Sequence, residues 1–588
     1  MNSTIGTIRN DKIIRRKFYQ YLLPSVLMFI TMMLGDICDS IFVGNFLGED
    51  ALSAVSLTTP IILIIQIPLM IFAVGGSILA ANYLGKREIE KANKIFSSSV
   101  IFVCIFVIII AAIGPFIYKP IAHLFAGDNA KMEQYMAEYS FVYFEGNIAI
   151  CLSYILATFY AVDNNPRLTT ASYLVAVPIK LITQFCLLRF SSIGISGASL
   201  ASIIGYFSSL FVVIFYIKSK SRMLHFSFKI KGICPEIKES IKAGFSLGLF
   251  NLFTAVNGIV INCSIIYMLS AQDMAIYSAL SSSLILVDIF VGGIIQIIPQ
   301  ICSILLGDKD YYSIHYIIRK VLLYLTITTL VIMAVIMIYP NLVCLLFGIT
   351  SVEQSKMELV IRIYAICFLF YELNNFAKNY FPTIFVSIIS NVTIALRLLI
   401  LALPLCILGI HLWGILGVAI GAVAAESLTV LITYLFNLIY RKKKKLPDNY
   451  FLIPNEKTPL TTLDITIQAD EHEAGEISEQ LIDYCKEKQV GERDAYIIGL
   501  AGEEIVDNIY HYAYKKKFNY IDINLNIQDD SIMLRIRDDG VPFDPLSITD
   551  EEEQFSTKGL VLIKKLASEF NYIRVINTNN TIITIKRN

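Results

Sequence analysis

The chain has 588 residues, 56% of them hydrophobic and only 16% charged, against about 25% charged in ordinary soluble domains. That composition excludes a simple soluble enzyme. Basic and acidic residues balance at 48 each, but the zero net charge hides two opposite parts: residues up to Lys445 hold 33 basic and 22 acidic side chains, net +11, and the rest hold 15 and 26, net −11. The eleven cysteines form no Cys-x-x-Cys pair, which argues against a disulfide framework or a zinc site.

A bilayer core about 30 Å thick needs about 20 apolar residues of helix. Runs of that length recur twelve times, at 18–45, 52–80, 95–118, 136–160, 168–190, 195–217, 240–269, 277–306, 318–346, 357–384, 386–410 and 413–440. The first run lacks a small-residue cleavage site, so no cleaved leader is expected. With a cytosolic amino terminus, the inner segments collect 26 of the 33 basic residues, including Arg9 to Lys17, Lys86 to Lys94, seven between Lys218 and Lys242, and Arg441 to Lys445. The positive-inside bias therefore predicts a plasma-membrane protein with both termini in the cytoplasm. Gly-Glu-Asp-Ala at 48–51 echoes Ala-Gln-Asp-Met at 271–274, Leu-Gly-Lys at 84–86 echoes Leu-Gly-Asp at 306–308, and Gly-Ile-Ser-Gly at 194–197 echoes Gly-Ile-Leu-Gly at 414–417. The offsets are 223, 222 and 220 residues. Two parallel six-span repeats follow, an N-lobe over 1–220 and a C-lobe over 221–445.

The stretches "YLLPSVLMFITMMLGDICDSIFVGNFLGEDALSAVSL", "GGSILAANYLGKREIEKAN", "GISGASLASIIG" and "GILGVAIGAVAAESLT" resemble multidrug and toxic compound extrusion (MATE) exporters over about residues 15–440. The resemblance implies a two-lobed antiporter that alternates between inward- and outward-open states, driven by H⁺ or Na⁺, and exports amphipathic small molecules.

An ionisable group inside a span is costly unless it has a partner or a water-filled cavity. The N-lobe carries Asp36, Asp39 and Lys180 there, and the C-lobe Asp288, Glu372 and Arg397. By the resemblance, Asp39 occupies the place of a first-span aspartate implicated in cation coupling. The fifth span departs from the family, with Lys180 and Gln184 where an Asn and an Asp are usual. An Asp39–Lys180 ion pair is expected, the ammonium standing in for a bound cation, with coupling altered or moved to Asp288 and Glu372. Arg397 is expected to anchor a carbonyl or headgroup, and Glu372 to lie in a solvated mouth.

After a polar linker at 446–459 the chain alternates apolar and polar residues. "TTLDITIQA" predicts a strand, 472–489 and 493–516 helices, "YIDINLNIQ" and "SIMLRIRDD" strands, 559–569 a helix, and "YIRVIN" and "TIITIKR" closing strands. The fold class is an all-α polytopic membrane protein of twelve helices plus an α/β sandwich at 460–588. In "GLAGEEIVDNIYHYAY" Glu504 and Asn508 share a helix face, where a carboxylate can orient a hydroxyl and an amide oxygen can ligate Mg²⁺. Asp538 ends a strand, placed to accept from a purine amino group, and Gly540 permits close backbone approach.

These two segments resemble the histidine-kinase-like ATPases, in the branch of the anti-sigma-factor serine kinases. The resemblance implies ATP or ADP with Mg²⁺, Glu504 as base, Asn508 as the Mg²⁺ ligand, Asp538 and Gly540 at the adenine, and a STAS-like or sigma-factor-like protein partner. The third box reads Ser556, Thr557, Lys558, Gly559 where a Gly-Gly-x-Gly turn is usual; Lys558 offers a charge in exchange for backbone freedom. Nucleotide binding is therefore expected ahead of kinase turnover.

An exporter regulated by its nucleotide-binding domain is the leading reading, and a membrane-tethered serine kinase or anti-sigma-type switch the alternative. No Gly-x-x-x-x-Gly-Lys-Ser/Thr loop is present, which argues against direct ATP-driven pumping. The acidic tail argues against nucleic-acid binding. Opposite charge predicts that the tail docks on the basic 218–242 loop.

Overall fold

The computed structural model describes residues 9–126, 129–227, 234–346, 354–454, 462–468, 471–513, 520–545 and 558–587. Among the described residues, twelve helices are long and apolar enough to cross a membrane: Lys12–Leu47, Ile67–Gly85, Ile89–Ala126, Ala130–Val162, Pro166–Phe190, Ser196–Ile217, Pro235–Met268, Ile276–Gly307, Tyr311–Ile338, Ser355–Thr383, Ser387–Trp413 and Ile415–Lys444. They are spans 1 to 12 below, and they make the body a multi-pass membrane protein. A helix over Glu49–Ile65 leads into span 2.

The backbone repeats as the sequence does. Left-handed residues end corresponding helices in both lobes: Arg87 and Lys309, Asn164 and Phe385, Gly194 and Gly414, pairs separated by 222, 221 and 220 positions. At the ends of spans 2 and 8 the repeats touch. A Cβ on Gly85 would lie 2.0 Å from the Ile304 carbonyl oxygen, and one on Gly307 2.1 Å from that of Asn82. Only glycine permits such backbone contact, and the Asn82 amide donates to the Ser303 carbonyl at 3.3 Å. Span 1 stays tight on span 8 as far as Val26 and Phe29, where a Cβ on Gly293 or Gly292 would come within 2.5 Å. Further along span 1 the Asp36 side chain is 61% exposed. The lobes are thus closed together at the mouth on the tail side.

The tail is a five-stranded antiparallel sheet in the order β1-β2-β3-β5-β4, with β1 Thr462–Gln468, β2 Tyr520–Ile527, β3 Ser531–Asp538, β4 Glu569–Val575 and β5 Thr578–Lys586. Among the described residues three helices cover it: α1 Glu471–Glu487, α2 Glu492–Asn508 and α3 Lys558–Leu566. Period-two alternation sorts the faces. Ile465, Ile523, Leu534, Ile536 and Ile583 turn to the helices and build a core with Ile477, Leu481, Ile498 and Ile563. Asp464, Asp522, Arg535 and Arg537 turn the other way, onto the body, and are buried there.

Two expectations change here. The described part of the linker packs against the body: the Phe451 carbonyl accepts from Tyr380 at 2.8 Å, that of Tyr450 from Asn437 at 3.0 Å, and Ile453 is buried. Its aromatic residues outweigh its polar ones. Among the described residues, the polar contacts of the tail are also not centred on the 218–242 loop. The tail sits on residues 9–17, Asn164 and residues 308–310, and part of the attraction runs with reversed sign, through tail arginines onto body aspartates. Residues 455–459 and 228–233 lie outside the described residues.

Candidate functional site

In the N-lobe, the close approach of span 6 at Gly205, where a Cβ would lie 2.7 Å from that of Lys180, holds span 5 against span 1. Lys180 Nζ lies 3.3 Å from Asp39 Oδ2 and 3.9 Å from Asp36 Oδ1. Gln184 Nε2 donates to Asp39 Oδ1 at 2.5 Å. Both Asp39 oxygens are therefore occupied by groups of this chain. Two carboxylates face one ammonium, and the surplus negative charge rests on exposed Asp36.

The C-lobe site is built around a pair only half anticipated. Arg397 Nε donates to Glu426 Oε1 at 2.7 Å and Nη1 to Asn375 Oδ1 at 2.9 Å, while Asn374 donates to Glu426 Oε2 at 2.6 Å. The guanidinium lies over the Tyr371 ring, 4.1 Å from its centre, and Tyr371 donates its hydroxyl proton to Asp288 at 2.9 Å. Arg397 thus anchors a carboxylate rather than a carbonyl or headgroup. Glu372 is 2% exposed and neither of its oxygens has a hydrogen-bond partner among the described residues, so it does not lie in a solvated mouth. A cavity of about 300 Å³, lined by Tyr277, Tyr364, Tyr371, Asn257, Arg397 and Glu426, opens beside the pair. Glu426 was the missed residue; a glutamate deep in an Ala- and Gly-rich span was the available signal.

In the tail, α2 carries Glu504 and Asn508. The Asn508 amide donates to the Glu504 carbonyl at 2.5 Å, which fixes its orientation, and leaves Oδ1 buried without a partner among the described residues. An orphaned amide oxygen in that position fits the expected Mg²⁺ ligand. Glu504 is half-buried; burial, then Asp507 and Glu503, push its carboxyl above the ordinary range. Asp538 closes β3 opposite Asn579 on β5. Its Oδ1 accepts from Gly540 N at 2.8 Å and Asn579 Nδ2 at 2.9 Å. Arg574 supports the same turn, donating to Asn579 Oδ1 at 2.5 Å and to the Gly540 carbonyl at 3.2 Å. Burial dominates at Asp538 and pushes its carboxyl up to about 6, against the hydrogen bonds from Gly540 and Asn579 and the charge of Arg574. Ile505, Asn508, Asp538, Phe543, Leu560 and Thr581 line a small pocket between these groups. Gly559, the second residue of α3, packs against the Glu504 carboxylate: a Cβ there would lie 2.0 Å from it. Ser556 and Thr557 lie outside the described residues, and Lys558 is placed only as the first residue of α3. Asn579 and Arg574 escaped notice, although asparagines in a strand, where they fit poorly, mark positions kept for something other than sheet stability.

Residues 24–186 match the MatE family model, and residues 467–586 that of the histidine kinase-like ATPase domain. The chain is similar to the multidrug export protein MepA of Staphylococcus saprophyticus, 27% identical over 243 residues, or 40% of this chain and 53% of that one. It is also similar to the probable multidrug resistance protein NorM of Thermotoga maritima, 23% identical over 274 residues, 45% and 57% of the two chains. The chain spans about half the length of the curated relatives it matches. Its fold is that of a MATE transporter of Vibrio cholerae, VcmN (TM-score 0.68, 18% identity, 75% of this chain and 99% of that one). It is equally that of a MOP superfamily transporter from Pyrococcus furiosus (TM-score 0.67, 16% identity, 75% and 100%). The chain therefore has the twelve-span fold of MATE transporters, with residues 24–186 similar to the MatE family, and ends in a region similar to the histidine kinase-like ATPase domain.

Proposed function

We propose that the protein is a cation-coupled exporter of amphipathic small molecules, with both termini cytoplasmic and a cytosolic nucleotide-binding domain that regulates transport. The observation that carries this reading is the N-lobe cluster: within a MATE fold, Lys180 and Gln184 satisfy Asp39 from inside the chain. The built-in ammonium takes the place of a coupling ion there and leaves exposed Asp36 to attract a cationic ligand. Coupling then falls to the C-lobe. Around Glu372 lie the charges of Asp288, Arg397, Lys378 and Glu426, which with Glu372 itself make three carboxylates to two cations, and a proton or Na⁺ at Glu372 balances the sum.

Transport in vesicles carrying an imposed pH or Na⁺ gradient tests the assignment. Glu372→Gln should lose the gradient response by about tenfold or more, the order of one lost charge interaction, while Lys180→Asn should acquire a new ion dependence. Unchanged ion dependence in both variants would rule out the division of labour between the lobes.

For the tail we propose ATP or ADP binding, with Asp538 accepting from the base, Asn508 holding Mg²⁺ and Glu504 facing the phosphate end. Bound Mg²⁺ would supply charge neutralisation of the phosphates; Asn508 and Gly559 would orient them. The raised Asp538 favours its protonated form, so its contribution to stability is complete below the ordinary carboxylate range and is lost as pH rises through about 6. A base that donates to Asp538 needs the ionised form. Nucleotide affinity of the full chain, titrated calorimetrically with Mg²⁺, should therefore fall about tenfold per pH unit below about 6 and level off above it. A pH-independent affinity would remove Asp538 from the site.

A second reading, a membrane-tethered serine kinase or anti-sigma-type switch, draws support from the raised carboxyl of Glu504, which suits a proton acceptor. Phosphate transfer from ATP to a serine of a STAS-like or sigma-factor-like protein would favour it over the first.

A further inference from the structure

Eight charged side chains from three parts of the chain meet at the tail-side mouth. The N-lobe brings Arg9 and Arg87, the C-lobe Asp308 and Asp310, and the outer face of the tail sheet brings Asp464, Asp522, Arg535 and Arg537. Arg9 grips Asp310 with both terminal nitrogens, at 3.0 and 2.9 Å, and reaches Asp464 at 3.3 Å and Asp522 at 3.7 Å. Arg537 spans the C-lobe turn, Nη1 to Asp310 and Nη2 to Asp308, each at 2.6 Å. Arg535 adds a 2.6 Å contact to Asp308, whose other oxygen lies 3.6 Å from Arg87. Seven of the eight are no more than 10% exposed, Arg87 being the exception. Four positive charges meet four negative ones. Burial alone would raise Asp310, yet Arg9, Arg537 and Arg535 hold its carboxyl well below the usual range.

The network lies directly over the Gly85 and Gly307 contact that closes the mouth. A second set of contacts fixes the tail to the N-lobe alone: Asp539 pairs with Arg16 at 2.8 Å, and Asn577 donates twice to Asn164, from its backbone N–H to Oδ1 and from its amide to the carbonyl, each at 2.9 Å. The tail is thus tied to the N-lobe independently of its grip on the C-lobe turn.

We propose that the outer sheet face of the tail is a clasp that binds the mouth-closed body, and that opening the mouth requires Arg535 and Arg537 to release Asp308 and Asp310. The proposal rests on the reading of the body as a two-lobed alternating transporter. Separating the lobes strips buried charges of their partners, which is far costlier than leaving an exposed pair. The clasp therefore favours the closed mouth, and by reciprocity an open mouth weakens the seating of the tail.

Hydrogen exchange of the full chain tests this without any transported substrate. In Arg535→Gln/Arg537→Gln, amides in 82–92 and 303–313 should exchange about tenfold faster than in the wild type, while strands at 521–536 and 581–585 keep their protection. Asp308→Asn should act in the same direction from the body side, and it decides alone if the double variant loses protection in its strands. Wild-type exchange at both mouth segments in the folded variants would overturn the clasp. Failure of the exporter reading shows up separately, as absent transport in vesicles, and leaves this measurement intact.

Discussion

Glu426→Gln should cost the body about 3–5 kcal/mol of stability, the loss seen when one partner of a buried ion pair is removed. The shape of the side chain is kept, so packing is not the cause. Arg397, 4% exposed, loses its counter-charge while it stays over the Tyr371 ring and beside Asn375. Arg397→Gln should cost a similar amount for the converse reason. Removing both charges in Arg397→Met/Glu426→Leu should recover most of the loss, because neither ion is left stranded. Thermal unfolding in detergent of the four proteins closes the cycle. Equal, additive losses in the singles and the double would mean that the two residues act independently and that the pair does not organise the cavity.

The second large effect is conformational. Gly307→Leu forces a side chain against the backbone of span 2, where even a Cβ would lie 2.1 Å from the Asn82 carbonyl oxygen, and backbone cannot swing away as a side-chain tip can. Overpacking of this kind costs about 3 kcal/mol, charged only to the state in which the lobes touch. Such a difference moves a two-state balance by about 150-fold. Distances between spin labels carried at the exposed positions Lys86 and Lys309 should then shift to a longer population, with Gly307→Ala intermediate. A distribution identical to that of the wild type would mean that the glycine contact does not hold the mouth.

The spans were legible because membrane solvation makes length and apolarity nearly sufficient, and the pairing of Asp39 with Lys180 was legible because two unlike charges in hydrocarbon have few alternatives. The strands and helices of the tail followed from periodicity. Glu426 went unread inside a run of small residues, where its neighbours recorded a helix crossing more loudly than its own charge. The seat of the tail was misread for a different reason. Net charge sums over the whole segment, whereas docking depends on which face of one strand carries which residues, and Arg535 and Arg537 stand on the same face, 227 or more positions from their aspartates. Glu372 was placed by its distance from the end of a span, which does not register how its oxygens are enclosed.

The turns after spans 2 and 8 are structural twins, each with a left-handed residue at its centre. Their chemistry is not twinned: Lys86, Arg87 and Glu88 in one repeat answer to Asp308, Lys309 and Asp310 in the other. Likewise Asn164 receives the tail, while its counterpart is Phe385. A body with near two-fold symmetry consequently offers one saddle, not two. Each chain can seat a single rider, in one orientation.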